Sequence, residues 1–118
     1  MRADEITGAV HAVILHTADA GWKEKEYSAA FATDLMSDAL AMIQKSPEST
    51  VLITGLCNAQ VLRTAEMLDV NLVIIVRGKH LSDLDLSIAD EMNISLFSTD
   101  LTMYETCGIL YEKGLHGI

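Results

Sequence analysis

The sequence predicts an α/β fold, a mixed and largely parallel sheet of about five strands with helices packed on it. Three observations carry that reading. Val51–Thr54 and Leu72–Val76 are short, apolar, β-branched runs of strand length. Between them, Asn58 precedes Val61, Ala65 and Leu68 at helical spacing, which gives a capped amphipathic helix. The run Leu72–Val76 shows no polar alternation, as expected of a strand covered on both faces. Strand, helix and strand in so short a stretch form a right-handed crossover, the seed of a parallel sheet.

The totals bound the rest. A chain of 118 residues has room for one core, so a single domain is expected. Half the residues are apolar and one is proline, a composition that folds rather than stays disordered. No run of eighteen apolar residues and no basic-then-apolar leader appears, so a soluble, cytoplasmic chain with no membrane partner is expected. Cys57 and Cys107 are too few for a secreted disulfide scaffold. A formal charge of −9, with lysines and arginines scattered, argues against nucleic acid.

Taken in order, Arg2–Thr7 predicts a short opening helix with Gly8 near its end, and Val10–His16 a first strand. Thr17–Lys25, polar and containing Gly21 and Trp22, reads as a loop. Tyr27–Thr33 is a second strand whose small residues permit close packing. Thr33 or Asp34 can then cap a helix to about Lys45, with Leu35, Ala39, Leu40 and Ile43 inward, broken by Ser46-Pro47. After Leu72–Val76 come a loop, Lys79-His80-Leu81, and a helix begun by Ser82 and Asp85 in a capping-box pattern. That helix carries Leu84, Ile88, Ala89 and Met92, with Asn93 as its stop. Ile94–Ser98 is the next strand, and Thr102 with Glu105 starts a last helix over about Leu101–Lys113, closed by Gly114. Leu115–Ile118 reads as a tail. The first two strands have no helix between them, so one edge is a candidate for antiparallel pairing.

Candidate binding residues gather at one place. The turn Thr54-Gly55-Leu56-Cys57-Asn58 lies beyond the carboxyl end of a strand and before a helix, where open α/β sheets bind ligands. It has one glycine and neither phosphate-loop nor dinucleotide spacing, so a structural turn is the simpler alternative. Arg77 and Lys79 close the next strand at the same edge and can serve an anion or an acidic partner, or form a solvated loop. Cys57, at a helix start, can have a lowered thiol pKa, or act as a small buried residue. His11, His16, His80 and His116 have no metal-ligand spacing, although His16 and Asp19 are close enough in sequence to meet. Asp34 and Asp38, four apart on one helix, can be paired carboxylates or simply solvated caps. The internal methionines read as core filler or as an adaptable docking surface. No nucleophile, base and orienting group assemble, no cofactor motif is present, and no metal site is expected.

The segments Cys57-Asn58-Ala59-Gln60, Arg63–Leu68, Val76-Arg77-Gly78-Lys79, Ser98-Thr99-Asp100 and Met103–Tyr111, with Asp34–Asp38 before them, resemble the DRTGG domain family over residues 4–115. Members occur beside CBS modules in some inorganic pyrophosphatases and ahead of a phosphotransacetylase domain. A related fold forms the N-terminal domain of HPr kinase/phosphorylase. The resemblance implies an α/β fold and regulatory or dimerising duty without catalysis, since that kinase keeps its phosphate-binding loop in another domain. The eponymous Asp-Arg is here Leu56-Cys57, and Thr-Gly-Gly reads Val76-Arg77-Gly78 or Arg77-Gly78-Lys79. The expectation is therefore a regulatory or scaffolding homodimer that can dock on a partner enzyme. The alternative is a sensor holding a nucleotide or phosphorylated metabolite at Thr54, Gly55, Cys57 and Asn58 with Arg77 and Lys79.

Overall fold

The computed structural model describes residues 1–79 and 81–118. Its elements are α1 (Ala3–Val10), β1 (Val13–His16), β2 (Ala29–Ala32), α2 (Met36–Met42), β3 (Thr50–Thr54), α3 (Ala59–Leu68), β4 (Leu72–Ile75), α4 (Asp83–Ala89), β5 (Ser95–Ser98), α5 (Met103–Glu112) and β6 (His116–Gly117). They form a six-stranded sheet in the order β1-β5-β4-β3-β2-β6. The mixed, largely parallel α/β sheet is as expected, with six strands in place of five. The sixth comes from the segment read as a tail, where His116 and Gly117 pair with Ala29 and Ala30. Two residues carry no periodicity, which is why the sequence does not announce them.

The topology follows from the crossovers. From β2 to β5 each strand is laid beside the last, parallel, through α2, α3 and α4. Right-handed steps in one direction put those three helices on one face. The step from β5 to β6 runs back past β2, so α5 crosses the other face and joins α1 there. Side-chain alternation along the strands confirms it. Leu52, Val73, Ile75 and Leu96 pack with Met36, Ala39, Val61, Leu62 and Ala65 of α2 and α3. Val51, Ile53, Leu72, Ile74 and Phe97 pack with Ile6 and Val10 of α1 and Leu110 of α5. β1 provides the antiparallel edge, and its partner is β5, not the strand that follows it.

Several boundaries move for identifiable reasons. Val10 is the last residue of α1, which runs through Gly8 and stops where His11 turns left-handed at φ 52°. Within the predicted loop, Trp22–Glu24 make a 3-10 turn whose indole meets Phe97 edge-on at 5.5 Å. α2 ends at Met42 and begins after Leu35, so Leu35 is outside the helical phase and exposed. Leu40 and Leu84 also face solvent; Met36 takes the inward position on α2. Met42 and Met67 are exposed, whereas Met36 is buried and Met92 and Met103 pack against the cores. α4 ends at Ala89 with Asp90 as its cap, before Asn93. His80 lies outside the described residues.

Candidate functional site

Parallel register sets the carboxyl edge. Ala32 is level with Ile53, Thr54 with Ile75, and Ile75 with Ser98. The residues that follow each strand, Asp34, Gly55, Arg77 and Asp100, are thus delivered to one rim. Helix starts fix the next turns: Asn58 Oδ1 accepts from Gln60 N–H at 3.0 Å, Ser82 Oγ from Asp85 N–H at 3.1 Å, and Thr102 Oγ1 from Glu105 N–H at 3.4 Å. These three caps are the ones read in the sequence; the cap expected at Thr33 or Asp34 is not formed, because α2 starts after Leu35 without a side-chain cap.

Gly55 is the centre of the rim. Its N–H donates to Asp34 Oδ1 at 2.6 Å, and its carbonyl accepts from Lys79 Nζ at 2.9 Å. Thr54 Oγ1 accepts from Leu56 N–H at 3.0 Å and closes the turn. A Cβ on Gly55 would lie 2.7 Å from Arg77 Nη2, 3.3 Å from its Nε and 3.1 Å from Asp34 Oδ1. A guanidinium and a carboxylate flank its Cα, so a side chain there would displace the end of Arg77. Acid, amine and guanidinium converge there from the ends of the two flanking strands, β2 and β4, one on the backbone N–H, one on the carbonyl, one over the Cα.

The segment 77–79 is held from the next strand. Arg77 and Gly78 are both left-handed, at φ 65° and 66°. Their N–H groups donate to the carbonyls of Leu101 and Thr99, each at 2.8 Å, and Ser98 Oγ donates to the Lys79 carbonyl at 3.0 Å. A left-handed backbone is uncommon for an arginine, and these three bonds hold it. A Cβ on Gly78 would lie 2.7 Å from Asp100 Oδ1. Arg77 is exposed, and among the described residues it forms no ion pair.

Thr54, Gly55, Arg77 and Lys79 are therefore brought together, with Cys57 near Lys79. Asn58 is committed to capping. Cys57 departs from the lowered thiol that its helix position suggested. Burial pushes it above its ordinary value, Lys79 lowers it, and Asp85 raises it again. Burial likewise pushes Cys107 up. Asp34 lies before α2, not on it, so it shares no helix face with Asp38; its partner is Gly55 across the β2–β3 pair. His16 does not meet Asp19. Its Nδ1 lies 2.7 Å from the Ile94 carbonyl and its Nε2 lies 3.2 Å from Asp90 Oδ1. Among the described residues no group of three or more metal-ligating side chains gathers, and no helix is long and apolar enough to cross a membrane.

Two rim residues were not selected as site residues in the sequence, Asp34 and Asp100. Their roles depend on strand register across the chain, and no local spacing signals it.

The architecture is a three-layer α/β sheet with a crowded carboxyl rim, and comparison with solved structures finds it elsewhere. The chain matches the crystal structure of the CBS and DRTGG domains of the regulatory region of Clostridium perfringens pyrophosphatase, complexed with its activator diadenosine tetraphosphate. The TM-score is 0.70 at 16 % identity, over 92 % of this chain and 45 % of that one. The chain thus spans less than half the length of that regulatory region. At this identity the likeness establishes the fold, and it supports the DRTGG-like architecture that the motifs implied. No protein-family model and no curated protein matches the chain.

Proposed function

We propose that the chain is a regulatory or scaffolding domain of the DRTGG kind, without chemistry of its own, that works as a homodimer through protein contacts in the cytoplasm. On this reading it shares its ancestry with the N-terminal domain of HPr kinase/phosphorylase and docks on a partner enzyme. One observation carries it. At the rim where open α/β sheets place their chemistry, Asp34 and Lys79 are spent on the backbone of Gly55 and the neighbouring thiol is pushed up, not activated. The rim is built to hold its own shape. The structural neighbour supports the same direction, being the regulatory region of an enzyme. Sedimentation equilibrium tests the assembly: a dimer is expected at micromolar chain, and a monomer throughout refutes it.

A second reading rests on Arg77. Its guanidinium is exposed, set beside Gly55 by a left-handed backbone, and close to the start of α3. That arrangement favours an anion, in line with a neighbour whose activator is diadenosine tetraphosphate. Thermal shift against nucleotides and phosphorylated metabolites tests it. A shift lost in Arg77→Ala supports a sensor; no shift at millimolar ligand rejects one.

A further inference from the structure

α5 has two apolar faces, and only one of them is used by the fold. Thr106 and Leu110 are buried, and Met103 and Ile109 pack against the sheet-side core. The other face looks to solvent. Tyr104 is 87 % and Tyr111 60 % exposed, with exposed Gly108 and half-buried Cys107, which also packs against the core, between them. Positions 104, 107, 108 and 111 follow i, i+3, i+4, i+7, so they form one stripe. Gly108 weakens the helix it sits in. A Cβ there would meet nothing within 4 Å, so packing within the chain does not demand glycine.

Beside the stripe runs an apolar groove of about 200 Å³ between α5 and β2. Ala30 and Ala32 leave it unfilled from the strand side, and Cys107, Tyr111 and His116 line it from the other. The His116 ring stacks on Tyr111 at 4.3 Å.

Building on the homodimer reading above, we propose that the solvent face of α5 is the two-fold interface, with α5 of one copy packed antiparallel on α5 of a second. The stripe is self-complementary about a point between Cys107 and Gly108. In an isologous contact residue i meets j and j meets i. Here Tyr104 meets Tyr111 of the partner subunit, and the small pair Cys107 and Gly108 meets its own copy at the crossing. The large side chains lie outside and the small ones at the axis, which lets the backbones approach. Tyr104 is also carried to the mouth of the partner's groove. The exposed parts of the two tyrosines offer on the order of 300 Å² per copy, over a third of the roughly 800 Å² per partner in a standard interface. The adjoining groove supplies further apolar surface.

The test uses the whole chain. Wild type, Gly108→Arg and Tyr104→Ala are compared by sedimentation equilibrium, with circular dichroism to verify folding. The Cys57→Ser chain, whose one thiol is Cys107, is treated in dilute solution with a short bis-maleimide. The expected result is a wild-type dimer, a dimer Kd raised by about 100-fold or more in Gly108→Arg, and a covalent dimer in Cys57→Ser that is absent when Cys107→Ser is added. If Gly108→Arg fails to fold, Tyr104→Ala carries the same expectation of a weakened dimer. A wild-type dimer whose Kd is unchanged by either substitution, with no cross-link through Cys107, overturns the α5 interface and leaves the homodimer reading standing. A wild-type monomer overturns both.

Discussion

Removing one hydroxyl at the amino end of the sheet should reverse the order of stability between two chains as pH rises. Tyr27 is 3 % exposed, and its hydroxyl donates to Asn71 Oδ1 at 2.6 Å. Asn71 Nδ2 in turn donates to the Glu48 carbonyl at 3.2 Å. The three residues tie the entry of β2 to the entry of β4 and to the 3-10 turn at Pro47–Ser49. In Tyr27→Phe the Asn71 oxygen loses its partner in a buried place, at a cost of about 1–3 kcal/mol near neutral pH. Burial first, and the Asp19 carboxylate second, push the Tyr27 phenol from 10.0 to about 12 in the folded chain. The neutral phenol is the form the fold prefers. Its contribution is complete below the unfolded value of 10.0 and is lost as pH climbs to about 12. The whole loss amounts to about 3 kcal/mol. Phenylalanine has nothing to ionise. Urea melts of both chains, paired at each pH so that every other titration cancels, should show wild type ahead at pH 8. For a cost of about 2 kcal/mol the curves should cross at about pH 11.5, with Tyr27→Phe ahead beyond it. A difference that stays constant up to pH 12 would refute the reasoning.

The rim offers two further tests. Gly78→Ala forces an alanine into φ 66° and onto Asp100, and should cost about 2 kcal/mol, a Tm lower by roughly 8 °C. Gly55→Ala should cost less, because the atom it meets at 2.7 Å is the free end of exposed Arg77, which can swing away; equal losses would reject the distinction. For Cys57, alkylation in a Cys107→Ser background should be slow at neutral pH and gain speed above the usual thiol range. Asp85→Asn should quicken it and Lys79→Met slow it, as their charges act on the thiolate in opposite directions. Unchanged rates in both variants would remove those charges from the account.

Much of this molecule is legible in its residues, because its signals are local. The β3–α3–β4 unit follows from β-branched runs and one periodic helix, and Asn58, Ser82 and Thr102 cap the helices they precede. The turn at Gly55 and the cations at 77 and 79 lie at the edge expected of them. What the sequence hides depends on register over long separations. Asp34 looks like a helix cap, yet its oxygen belongs to Gly55 because β2 and β3 run level. His16 has Asp19 nearby in sequence and Asp90 nearby in space. Leu35 and Leu40 are apolar at plausible spacing, but α2 starts one residue beyond Leu35, and that phase leaves both exposed. Cys57 stands where a helix lowers thiols, and burial outweighs the helix.

The placement of β1 has a consequence for how the chain is made. Val13 pairs with Ser98 and Ile14 with Phe97, Thr99 Oγ1 donates to the Val10 carbonyl, and Ala18 N–H donates to Ser95 Oγ. None of these bonds can form until β5 has been synthesised. By then β2, β3 and β4 can already pair with one another, while β4 still awaits β5 and β2 awaits β6. The earliest strand to be translated is therefore held in waiting while the sheet grows strand by strand toward its edge, and Val13 and Ile14 have no place on the sheet until β5 arrives. High contact order at a single edge makes the nascent chain depend on β5, translated near its end, to pair its first strand.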